Sequence, residues 1–174
     1  MITQKMTDAI NEQIKNEIYS YYLYLAMAAY FADTNLKGME AWMRMQAKEE
    51  DSHAMKFFQY LLEQRAPVKL LTIPAPPADF DSPLDVFKKS FEHEKFVTAK
   101  INELVDIARA EKDKATEMFL QWYVTEQVEE ESSFDEVIRQ LNLVGDDGTG
   151  LYMLDQEMAA RPFAPLPGIV NRVA

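Results

Sequence analysis

Apolar side chains recur along this chain at alternating steps of four and three, the repeat of one helix face. From about Gln4 to Asp33 the row reads Ile10, Ile14, Glu17, Tyr21, Tyr24, Ala28, Phe31. Thr34-Asn35 and Gly38 punctuate it, and a second helix is expected from about Lys37 to Gln64, with Met43, Ala47, Glu50, Ala54, Phe57 and Leu61 in its row. Pro67, Pro74, Pro76 and Pro77 then hold the chain extended to about Asp81. Ser82, Pro83 and Asp85 give an N-cap, a first-position proline and a first-turn acid for a third helix. Its row is Phe87, Phe91, Glu94, Thr98, Ile101, Val105, Ala108. Asp113 is the expected cap of a fourth, with Thr116, Leu120, Tyr123, Gln127, Glu130, Phe134, Val137 and Leu141 in line. Gly145 to Gly148 end it, Thr149 is the expected cap of a short fifth helix to about Ala160, and the proline-containing tail 161–174 is expected to be irregular.

Four helices of about 28 residues, each roughly 42 Å long, predict an all-α, antiparallel four-helix bundle over residues 1–160. The tight joints between helices one and two and between three and four make hairpins. The connection from two to three is too long for a hairpin and long enough to run the length of the bundle, so helices two and three are expected to be parallel, joined by one crossover.

Each row carries one glutamate: Glu17, Glu50, Glu94 and Glu130. All four fall within about two residues, or roughly 3 Å, of mid-helix, so a bundle brings them to one level. His53 stands one turn after Glu50 and Gln127 one turn before Glu130. A single buried acid is satisfied by protonation or by a lysine or arginine. None of the four rows contains either cation. Four unpaired carboxylates cost several kcal/mol each if ionised, and a bound cation removes that cost. Helix-borne glutamates with Glu-x-x-His suit iron or manganese in a carboxylate-bridged dinuclear site. Glu49, Glu126, Glu129 and Glu131 form a second acidic group, readable either as a solvated face or as an auxiliary cation site. Tyr24, two turns beyond Glu17, and Trp122, one turn before Glu126, are candidates to approach the metals.

Composition narrows this further. The net charge of −11 argues against nucleic acid and anionic membranes as partners. Without cysteine there are no disulfides, thiolate zinc sites or iron–sulfur clusters. The segment Met1 to Met6 has no apolar signal core, and Tyr19 to Ala32 is too short for a membrane span, so a cytoplasmic protein is expected.

Over nearly its whole length the chain resembles the non-haem bacterial and archaeal ferritins. The matching stretches are Asn11-Glu12-Gln13 through Ser20, Glu49-Glu50-x-x-His53, His93-Glu94, Leu120 through Glu130, and Gly150-Leu151-Tyr152 to Asp155. The resemblance implies iron storage with ferroxidase activity: Fe(II) is oxidised by O2 or H2O2 at two irons per subunit and kept as ferric mineral. It implies Glu17, Glu50 and His53 around one iron, and Glu50, Glu94 and Glu130 around the second, with Gln127 lining the centre. A third iron is implied at Glu49, Glu126, Glu129 and Glu130, with Tyr24 beside the centre and Trp122 as a nearby electron source. It also implies a homo-oligomeric 24-subunit cage whose fifth helices line fourfold contacts. Gln127-x-x-Glu130 replaces the second Glu-x-x-His of the haem-binding relatives, and Asp51 stands at their haem-ligating methionine, so no haem is expected. A di-iron oxidase without a cage and a non-catalytic helical bundle are the alternatives.

Overall fold

The computed structural model describes residues 2–160. The expected irregular tail lies outside the described residues. Five helices follow one another: α1 (Gln4–Asp33), α2 (Lys37–Glu63), α3 (Pro83–Ala110), α4 (Lys114–Val144) and α5 (Gly148–Met158). Among the described residues no helix is long and apolar enough to cross a membrane.

Side-chain pairings fix the directions. Phe31 meets Phe87, while Tyr24 reaches Glu94, so α1 and α3 run antiparallel. Tyr60 bonds Thr116 and Gln46 bonds Glu130, so α2 and α4 do too. Gln127 with Glu94 and Arg109 with Glu117 set α3 against α4 in the same way. The tight turn makes α1 and α2 a hairpin, which leaves α2 and α3 parallel, as the long connection requires. That connection starts beside the beginning of α1, where the Asn11 amide donates to Pro67 O and its carbonyl accepts from Lys69 N (2.7 Å). It finishes beside the end of α1, with Phe80 edge-on to Tyr30. The crossover therefore travels along α1, clamped at its start by one buried asparagine.

Local chemistry sets the helix ends. Thr3, Ser82 and Asp113 accept backbone N–H groups of the first turns of α1, α3 and α4. The cap of α5 is Asp147, whose carboxylate accepts from Thr149 N, so Thr149 is inside the helix rather than capping it. The N-cap position of α2, Leu36, has no side-chain acceptor. Asp155 of α5 supplies one instead, taking the N–H of Met39 at 2.9 Å. Gly38 is thus not a turn glycine. It sits in the first turn of α2 where a Cβ would lie 1.5 Å from the Asp155 carbonyl oxygen, and its bare backbone lets α5 dock.

The core is in two halves. One, around Phe31, Trp42, Phe87 and Phe134, joins the end of α1 and the start of α2 to α5. The other, around Ile10, Phe57, Ile101 and Tyr123, fills the opposite end. Between them lies a layer of buried polar side chains.

Candidate metal centre

The polar layer holds Glu17, Glu50, His53, Glu94, Gln127 and Glu130, one acid from each long helix, all buried. No lysine or arginine is buried among the described residues. The helix-face spacing thus brings the four acids together as the sequence predicts, with no cation of the chain's own beside them in the layer.

Among the described residues, two groups of three have ligand-type atoms all within 4.8 Å of one another: Glu17, Glu50 and His53; and His53, Glu126 and Glu130. In the first group His53 Nδ1 lies 3.4 Å from Glu50 Oε2. One buried atom of each member, Glu17 Oε2, Glu50 Oε1 and His53 Nε2, has no hydrogen-bond partner. Buried polar atoms are almost always satisfied, and a cluster with three orphans could hold a cation. In the second group His53 Nε2 faces Glu126 Oε1 at 3.8 Å.

The other members are held by hydrogen bonds. Tyr24 is fully buried, stacked on Phe134, and its hydroxyl donates to Glu94 Oε1. Gln127 Nε2 donates to the other Glu94 oxygen at 3.0 Å. Two glutamines without a sequence-assigned role join them. Gln46 donates to Glu130 Oε2 at 2.6 Å and Gln13 to Glu17 Oε1 at 2.8 Å. The available signal was position: Gln13 and Gln46 each precede a row glutamate by four residues. Glu49 is buried, Glu126 half-buried and Glu129 exposed. Glu94, Glu49 and Glu129 belong to neither group of three. Trp122 is half-buried and edge-on to His53 at 5.4 Å between ring centres, with Lys56 Nζ 3.3 Å over its indole.

Burial, reinforced by the charge of Glu94, raises Glu50 well above the usual carboxylate range, and burial also raises Glu17. Burial pushes Glu94 up to about 7 although Tyr24 and Gln127 favour its ionised form. Burial alone depresses His53; the carboxylates of Glu126, Glu50 and Glu17 overcome it and hold the imidazole well above its ordinary value. The layer thus retains protons that a bound cation displaces.

The fold and this layer define a class: four-helix bundles that carry carboxylate and imidazole side chains at mid-height. The ferritin-like domain family matches residues 7–144, and the chain belongs to that family. It is 42% identical over 156 residues to the bacterial non-heme ferritin of Campylobacter jejuni, covering 90% of this chain and 93% of that one. With the bacterial non-heme ferritin of Staphylococcus saprophyticus it shares 39% identity over 163 residues, covering 94% and 98%. An Archaeoglobus fulgidus ferritin engineered to a closed form superposes with a TM-score of 0.93 at 50% identity, covering 94% of this chain and all (100%) of that one. The open-pore ferritin of the same archaeon superposes at 0.92, also at 50% identity, covering 93% and 100%.

Proposed function

We propose that this chain is an iron-storage ferritin with ferroxidase activity, its substrate Fe2+ and its product a ferric oxyhydroxide mineral inside a homo-oligomeric cage of 24 subunits. The observation that carries the reading is the trio of buried, unpartnered atoms on Glu17, Glu50 and His53. These three residues take one Fe2+. The second is taken by Glu50, Glu94 and Glu130, with Gln127 orienting Glu94. Hard carboxylate oxygens tolerate both oxidation states and favour the ferric one. Each of the two irons gives one electron: with two protons, O2 leaves as H2O2, or H2O2 leaves as two waters.

A third position is assigned to Glu49, Glu126, Glu129 and Glu130. The grouping of Glu126 and Glu130 with His53 supports it in part, since it sets acids of α4 beside the first position. Assembly is supported by large apolar side chains left open on the single chain, including Tyr152 (64% exposed) and Met153 (66%) on α5.

The test is to load the apo protein aerobically with many equivalents of Fe2+ and follow oxidation by stopped flow, then pass the product through a sizing column. Rapid oxidation is expected, with iron eluting on a particle far larger than a 20.1 kDa chain. Glu94→Ala and Glu130→Ala should still assemble but lose the fast phase, slowing it by about a hundredfold if the lost carboxylate is worth about 3 kcal/mol in the transition state. Wild-type kinetics in both variants would remove the site assignment. A small particle holding only stoichiometric iron would point to a di-iron oxidase instead.

A further inference from the structure

The face between α3 and α4 carries a feature that the acids do not account for. A cavity of about 300 Å³ opens there, with the exposed Val128 at its rim and the buried Gln127 at its deep end. Ile101, Val124 and Val128 give it aliphatic walls, and Thr98, Asn102, Gln127 and Glu131 complete its lining. Its deep end is pinned. Gln127 Nε2 donates to Glu94 Oε2 at 3.0 Å and to Thr98 Oγ1 at 3.3 Å, and the Thr98 hydroxyl donates to Glu131 Oε1 at 2.6 Å. One amide group therefore stands between the cavity and a carboxylate of the polar layer.

We propose that this cavity is the port by which dioxygen reaches the iron pair, separate from the acidic approach used by the cations. The inference rests on the ferroxidase reading. In that reaction one dioxygen takes one electron from each of two Fe2+ and, with two protons, leaves as hydrogen peroxide. The two reactants have opposite needs. Fe2+ is drawn by the field of Glu126, Glu129 and Glu130, and gains nothing from aliphatic walls. Dioxygen is neutral and apolar, gains nothing from that field, and partitions into aliphatic space as xenon does. Val124 and Val128 lie on a different side of α4 from Glu126 and Glu129, and Glu131, the acid in the cavity lining, is held by the Thr98 hydroxyl.

Two plugs test the port: Val128→Trp at the exposed rim and Val124→Phe in the half-buried wall. Lys88→Trp, at an exposed residue near the start of α3, is the control. Initial rates are measured by stopped flow at varied dissolved O2, and Fe2+ binding is measured anaerobically. Both plugs should lower kcat/KM for O2 by about fivefold or more, with anaerobic Fe2+ binding and the control variant at wild-type values. Crystals of the wild type pressurised with xenon should carry xenon in this cavity, and those of Val124→Phe should not. Wild-type O2 dependence in both plugged proteins, or an equal loss of Fe2+ binding, overturns the port, as does xenon lodged only elsewhere. A wild type that binds no Fe2+ removes the ferroxidase reading and the port with it. An active wild type with indifferent plugs removes the port alone.

Discussion

His53 belongs to both groups of closely spaced ligand-type side chains, and its ring is packed by Trp122 and Tyr123. Its backbone carbonyl accepts from the Tyr123 hydroxyl at 2.8 Å, so the imidazole is carried by an anchored turn of α2. Around it the carboxyls hold protons that their ordinary values would release. Glu94 stands at about 7, against 4.5 for a free glutamate. Between those values the folded chain keeps a proton that the unfolded chain has lost, so apo-protein stability falls as pH rises through this window, by on the order of 3 kcal/mol from this group. A cation must displace the same proton. Zn2+ binding, chosen because zinc does not change oxidation state, should therefore release protons at pH 6.5 and weaken as pH is lowered further. Calorimetry in two buffers of different ionisation enthalpy reads this directly: the apparent binding enthalpies should differ. Identical enthalpies would mean that the layer is already ionised and that the raised values are wrong.

At the scale of the helices, legibility varied with how wide an arc each one buries. For α4 the predicted row, Thr116 through Leu141, is the same eight residues that are buried, because a single stripe of this helix faces the core. For α3 the row catches Phe87, Glu94, Ile101, Val105 and Ala108, while Phe91 and Thr98 are half-buried and a second row, Val86, Ser90, Val97 and Leu104, is buried beside it. An arc this wide exceeds the single stripe that a strict four-three repeat describes. The four acids were legible because each fell in an apolar row. Gln46 was not, because a glutamine next to a row is unremarkable until Glu130 is known to lie opposite. Least legible was the Asp155 cap on α2, a contact between residues 116 apart in sequence. It carries its own prediction. Gly38→Ala puts a Cβ into the backbone of α5, whereas Gly148→Ala meets nothing within 4 Å. The first substitution should cost about 1–3 kcal/mol by overpacking, plus about 1 kcal/mol if the α2 cap is lost with it. The second should be neutral or slightly stabilising. Thermal unfolding of the two apo proteins decides it, and equal melting temperatures would show that α5 does not depend on the bare backbone at Gly38.

Across the whole molecule, two apolar half-cores are separated by a layer of buried acids, which either hold protons or cost stability when ionised. Such a layer lowers the stability of the apo bundle and makes that stability conditional on a cation. If the layer exists to bind metal, converting one of its acids to a side chain of similar length without charge should strengthen the empty protein and abolish its response to metal. Glu50 is the residue to change, since it lies between Glu17 and His53 and its carboxyl is raised by burial and further by Glu94. Glu50→Met should leave the apo form as stable as the wild type or up to about 4 kcal/mol more stable, by analogy with buried ionic groups replaced by apolar ones. The wild type should gain about 2.7 kcal/mol from a divalent ion at a hundred times its dissociation constant, and the variant should gain little. Denaturant unfolding with and without Zn2+ gives all four numbers. A variant weaker than the wild type without metal would mean that Glu50 holds the bundle together through its hydrogen bonds. The layer would then be a structural polar network, and the orphaned atoms on Glu17, Glu50 and His53 would need an explanation other than a cation.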